Sequence, residues 1–139
     1  MKGIYFVVAN LAIATSLKVR SGRAFILDSG FYGYVGSALG GLEQRIDRHL
    51  DVKKTHFWHI DYLLDYAKVE KVICVETKKK RECSIARTLA NSLIYIPGFG
   101  CSDCQCPSHL FFSDEKATLE NRAISVLRKH GLSNLILLG

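Results

Sequence analysis

Five side chains stand at spacings that suit chemistry on a phosphate ester: Tyr5, Tyr34, Arg45, His49 and Glu82. Side chains alternate along a strand, so Gly3, Tyr5 and Val7 share one face of a strand over residues 3–8. Tyr32, Tyr34 and Gly36 share a face of a second strand over 32–36 in the same way. If those strands pair, Tyr5 and Tyr34 project onto a common surface. A helix over 42–50 carries Arg45 and His49 four residues apart, pointing the same way beside an apolar stripe of Leu42, Ile46 and Leu50. Glu82 shares the apolar face of a helix over 81–93 with Ile85, Ala86, Leu89 and Leu93. A carboxylate there costs free energy unless it is paired or holds a cation. Two tyrosines, an arginine, a histidine and a half-buried glutamate together can cleave a phosphodiester. Singly, each has a plainer reading: packed tyrosines, a solvated helix edge, a Glu82 bridge to Arg81 or Arg87. Their order along the chain singles them out.

Other residues bear on phosphate and metal binding. Gly36 and Ser37, followed by Gly40-Gly41, bare the backbone at a strand-to-helix turn, where a phosphate can approach closely. The run Lys78-Lys79-Lys80-Arg81 precedes the Glu82 helix and can track a phosphate backbone. Nineteen Lys and Arg against thirteen Asp and Glu leave a net charge of +6, which suits an anionic partner. Five cysteines, three of them in Cys101-Ser102-Asp103-Cys104-Gln105-Cys106, form no even-numbered disulfide framework. Thiols in a reducing cytoplasm, or metal ligands, fit better. Cys101, Cys104, Cys106 and His109 are all local, with His56 and His59 as remote zinc ligands, yet Cys-x-Cys-x-x-His is not a standard knuckle spacing. A tightly turned loop of partly buried thiols is the favoured reading over zinc. Asp103 and His109 can instead complete the active site, and Trp58, His59 and Asp61 serve either the core or substrate contact.

The elements that must position these groups follow from pattern. A chain of 139 residues, 48% hydrophobic and 23% charged, supports one compact domain. That composition excludes collagen-like, coiled-coil and disordered classes. No apolar run reaches the length of a transmembrane span, so no membrane partner is expected. Met1-Lys2 and the apolar stretch after it superficially resemble a signal peptide, but residues 4–8 read better as a strand. Strands are expected over 3–8, 24–27, 32–36, 69–76, 109–112 and 135–138. Helices are expected over 42–50, 81–93 and 115–129, the last ending at Gly131, while 56–66 is helix or strand. This is an α/β (α+β) fold, a small mainly antiparallel sheet flanked by helices. Residues 1–113 form the domain, and 114–139 form a helical extension packed on it or in a dimer contact.

Gly3-Ile4-Tyr5 and Tyr34-Val35-Gly36-Ser37 resemble the two signature tripeptides of the GIY-YIG nuclease superfamily. Arg45 and His49 in Leu42-Glu43-Gln44-Arg45-Ile46-Asp47-Arg48-His49 resemble its helix motif, and Glu82 its metal-binding glutamate. The fuller set is similar to one largely archaeal branch, sometimes fused to endonuclease III-like repair glycosylases. That likeness rests on Tyr34 to Ala38, His56 to Leu64, Glu82-Cys83 and Gly98 to Leu110, within residues 2–112. The resemblance implies a metal-dependent endonuclease acting on DNA, structured or damaged. In it Tyr5 is general base relieved by His49, Arg45 neutralises the phosphorane, Tyr34 binds a phosphate oxygen, and Glu82 holds Mg²⁺ or Mn²⁺. A base of ordinary tyrosine pKa near 10 is poor at neutral pH, so the site is expected to depress it. A repair glycosylase is the implied protein partner, and the rival reading is a non-catalytic nucleic-acid-binding module. The sequence differs from the superfamily in a longer insert over 9–31, in Ser37-Ala38 where many members carry lysine, and in lacking the terminal asparagine.

Overall fold

The computed structural model describes residues 2–38, 41–50, 56, 58–79, 81–101 and 105–138. Lys80, Asp103 and Cys104, singled out above, lie outside the described residues. The centre of the molecule is β1 (Gly3–Leu11), whose first seven residues are buried on both faces. A strand covered on both sides needs no polar alternation, which is why Ile4-Tyr5-Phe6-Val7-Val8-Ala9 is apolar throughout. β1 pairs antiparallel with β4 (Gly30–Ala38) on one side and β5 (Lys68–Glu76) on the other. β7 (Leu110–Ser113) and β6 (Ile94–Tyr95) extend the sheet beyond β4, and β8 (Leu135–Leu138) extends it beyond β5. Every recorded pairing is antiparallel. The expected α+β architecture is the observed one.

Each face of the sheet has its own core. Tyr5, Val7, Ala9 and Leu11 of β1 face α1 (Leu42–Leu50) and α2 (His59–Leu63). Ile4, Phe6 and Val8 face α3 (Glu82–Ala90) and α4 (Lys116–Lys129). The ambiguous 56–66 stretch is therefore the short helix α2, with turns running on to Ala67. The insert over 9–31 completes β1, forms a hairpin of β2 (Thr15–Lys18) and β3 (Ala24–Leu27), and begins β4. Leu17, Val19, Phe25 and Leu27 bury the hairpin's inner side in the first core. β2 escapes sequence detection because Thr-Ser-Leu-Lys offers one inward apolar residue, too few to show a period of two. β6, only two exposed residues, escapes for the same reason.

α1 departs from the expected stripe. Its buried residues are Leu42, Ile46 and His49, while Leu50 is 54% exposed. Seven residues make nearly two turns, so His49 falls about 20° from Leu42 around the axis and Leu50 about 80°. The histidine thus takes the place in the core that an apolar residue was expected to fill.

The C-terminal segment belongs to the same body. Leu119, Ala123, Val126 and Leu127 of α4 pack into the second core, and β8 pairs with β5. α4 ends as expected at Gly131, whose φ of +81° lets its N–H reach Arg128 and that of Leu132 reach Leu127. No helix among the described residues is long and apolar enough to cross a membrane. Leu119→Ala is expected to cost about 2–5 kcal/mol in urea unfolding, whereas Leu50→Ala stays within about 0.5 kcal/mol.

Candidate active site

The β1–β4 register sets Tyr5 opposite Gly36 and Tyr34 opposite Val7, so the two tyrosines meet diagonally, ring centroids 6.4 Å apart. Gly36 does not bare its backbone to solvent as expected. It is buried, and a Cβ there would collide with the Tyr5 hydroxyl. The glycine is required because the Tyr5 ring lies across it.

From α1, His49 reaches under the helix to place Nε2 2.8 Å from the Tyr5 hydroxyl. Arg45, one turn earlier, donates from Nη1 to the Ser37 carbonyl at 3.2 Å. The Ser37 hydroxyl in turn donates to Glu82 Oε1 at 3.0 Å. Glu82 Oε2 lies 3.8 Å from His109 Nδ1, and the carboxylate is 20% exposed. This convergence has a topological cause. β7 pairs with β4 only over Phe31 to Tyr34, and His109 makes the last backbone contact, to Val35. Beyond that point the edge of β4 opens, and Ser37 accepts helix α1 through its carbonyl and helix α3 through its hydroxyl. Tyr5, Tyr34, Arg45, His49 and Glu82 are thereby brought to one notch from four elements. Glu82 bridges to neither Arg81 nor Arg87; Ser37 and His109 are its recorded partners.

The electrostatics of the notch oppose one expectation. Burial pushes the Tyr5 hydroxyl well above its usual pKa; the Arg45 guanidinium pulls it back only partly, and Glu82 and Asp61 push it further up. Tyr34 is raised as well, first by burial and then by the charges of Tyr5 and Glu82. Tyr5 is 2% exposed and Tyr34 7%, so water does little to relieve either. The site does not depress the Tyr5 pKa, because enclosure outweighs one neighbouring cation.

Arg45 is held from a second side. Its guanidinium carbon lies 4.1 Å from the Trp58 ring centroid, and that of Arg48 lies 4.2 Å away. Arg48 also makes a two-pronged pair with Asp61, at 2.6 and 2.8 Å. Asp61 is fully buried and accepts from the Trp58 backbone N–H at 2.8 Å, fixing the start of α2. Trp58 and Asp61 therefore support Arg45, and of the two roles open to Asp61 its full burial against Arg48 and Trp58 matches the core.

The other candidates fall in different places. Lys79 is exposed, as a backbone-tracking lysine must be. Arg81 is not turned to solvent: its Nη1 donates to the His130 carbonyl at 2.6 Å, closing the end of α4. His56 pairs with Asp65 at 2.6 Å and His59 accepts the Gly100 N–H at 2.9 Å, so neither is a remote partner of the cysteines. The remote partner is Cys83 of α3, which spacing alone did not reveal. Cys83, Cys106 and His109 hold their ligand atoms within 4.8 Å of one another, a possible metal-binding cluster. Cys101 Sγ lies 3.8 Å from Cys106 Sγ. The one available signal was that a closed metal site needs a ligand distant in sequence, and Cys83 follows Glu82 directly.

A family model described as "Domain of unknown function DUF123" matches residues 4–132. The chain belongs to the DUF123 family. The match takes in β1 from Ile4 onward, the notch, the cysteine loop and α4, and it stops short of β8. No curated protein and no solved structure matches this DUF123 chain.

His59 supplies a pH dependence. Burial first, and the Arg23 charge second, lower its pKa, so the unfolded chain takes up its proton at higher pH than the folded one. Stability is then complete above the ordinary histidine pKa of about 6.5 and falls as pH drops below it. Urea midpoints between pH 8 and 5 are expected to fall less steeply for His59→Gln than for the parent.

Proposed function

We propose that this DUF123 chain is a divalent-metal-dependent endonuclease that hydrolyses phosphodiester bonds in DNA. The observation that carries the reading is the 2.8 Å contact between Tyr5 and His49, set in one notch with Arg45 and Glu82. The same five residues follow the GIY-YIG order, which supports a nuclease over an unrelated buried network.

Glu82 suits a hard cation. Its carboxylate is partly exposed, one oxygen is oriented by Ser37, and Mg²⁺ is commonly held by one carboxylate together with waters and substrate phosphate. A bound Mg²⁺ or Mn²⁺ there supplies charge stabilisation for the leaving oxygen. Arg45, anchored between Ser37 and Trp58, is placed to neutralise charge that develops on the phosphorus. Tyr34 is the donor to a phosphate oxygen.

The raised Tyr5 pKa changes how the base must work. A standing phenolate is too costly in this enclosure, so Tyr5 acts as a relay. Its O–H passes a proton to His49 Nε2 as its oxygen takes one from the attacking water. Imidazole is a competent acceptor near neutral pH. Lys79 adds a point of contact for the phosphate backbone, and structured or damaged DNA in repair, with a glycosylase as partner, is the setting the family likeness supports.

The depth of Tyr5 and Tyr34 favours a second reading, in which the fold grips nucleic acid without cutting it. Supercoiled plasmid and flap, fork and single-stranded oligonucleotides, with Mg²⁺ or Mn²⁺, separate the two. Cleavage is expected, with Tyr5→Phe and Glu82→Ala each lowering the rate about 10²- to 10⁴-fold. Cutting that survives in both variants sinks the site assignment. No cutting by the parent, with salt-sensitive binding retained, establishes the binding module instead.

A further inference from the structure

We propose that Cys83, Cys106 and His109, with Cys101 as fourth ligand, form a closed structural zinc site that joins the start of α3 to the approach of β7. His109 is already in the form a ligand requires. A carbonyl can only accept, so the 3.1 Å contact between His109 Nδ1 and the Val35 carbonyl puts the proton on Nδ1. That leaves the Nε2 lone pair turned toward sulfur, 2.9 Å from Cys106 and 3.9 Å from Cys83. Metal-bound histidines are oriented by such a backbone bond at the other nitrogen.

The spacings suit a tetrahedron. Zn–S bonds of about 2.3 Å and Zn–N bonds of about 2.05 Å place sulfurs about 3.8 Å apart and sulfur about 3.6 Å from nitrogen. Cys101 and Cys106 are 3.8 Å apart, and Cys83 is 3.9 Å from the histidine nitrogen. To close the tetrahedron the Cys106–His109 contact must open by about 0.7 Å. Cys101, whose sulfur lies beside Cys106 but outside the Cys83–Cys106–His109 group, must draw in toward the ion.

Burial decides against the rival chemistry for such a pair. Cys106 is 5% exposed and His109 3%, so a thiolate nucleophile activated by histidine would meet no substrate. A closed zinc site needs no access. Thiolate and imidazole ligands also select zinc over magnesium, which keeps this site distinct from the oxygen ligand Glu82. Each ligating thiol gives its proton to solvent when the ion binds. Because Cys83 adjoins Glu82 and His109 is bonded to Val35, the ion would also hold Glu82 against β4. The zinc site stands on its own geometry; only this last consequence rests on the nuclease reading.

Metal analysis and cobalt spectroscopy on the full chain test the site without any activity assay. The protein from zinc-supplemented expression is expected to carry about one zinc ion per chain. After chelator stripping, added Co²⁺ is expected to give sulfur-to-cobalt charge-transfer bands and the intense visible bands of tetrahedral coordination, both displaced by Zn²⁺. Cys83→Ser and Cys106→Ser should lose the zinc, and Cys74→Ser, whose sulfur faces Ile136, should keep it. A folded parent chain that binds no zinc and gives only weak octahedral cobalt bands overturns the proposal. So does a Cys83→Ser protein that retains its zinc. If the serine variants fail to fold, the cobalt spectrum of the parent decides alone.

Discussion

The register between β1 and β4 is the constraint on which the site depends. It sets the Tyr5 ring over Gly36, where any side chain would collide with it, and turns Tyr34 toward the same face. A slip of one residue would turn the tyrosine of the slipped strand to the opposite core and part it from the other, because side chains alternate with a period of two. β1 cannot slip cheaply. It is buried on both faces and paired on both edges, so its alternatives would expose one core or unpair one ladder.

Given that register, the early departure of β7 makes the notch. Where β7 stops pairing, Ser37 offers a carbonyl and a hydroxyl in different directions, and the helices covering opposite faces of the sheet meet at one residue. A sheet paired to its end would have kept Arg45 and Glu82 apart. The hairpin in the insert and α2 then cover the Tyr5 face, and α4 covers the Glu82 face.

Enclosure has an electrostatic cost. It strengthens the hold of Arg45 and His49 on Tyr5 by excluding water, and it also raises the free energy of every charged form inside. The buried Asp61–Arg48 pair and the Trp58 ring show how the chain handles this. Each cation near the notch has a carboxylate, a carbonyl or an aromatic face against it. A neutral phenol relaying a proton fits such surroundings better than a standing phenolate.

What the sequence determined by itself lies in local pattern. The apolar run of β1, the period of α4 with its Gly131 stop, and the four-residue spacing of Arg45 and His49 depend only on nearby residues and backbone geometry. The fold class was legible for that reason, whereas the grouping of Tyr5, Tyr34, Arg45, His49 and Glu82 rested on their order along the chain and on a family likeness. Tertiary structure decided the rest. His49 rather than Leu50 enters the core because α1 buries the side on which Leu42 lies, and which side a helix buries is set by the elements packed against it. Arg81 turns to the end of α4, a partner 49 residues away. Cys83 joins Cys106 and His109 across 23 and 26 residues, and no spacing rule links them. Contacts of that kind are formed by packing one element on another, and a linear pattern carries no record of which elements will meet.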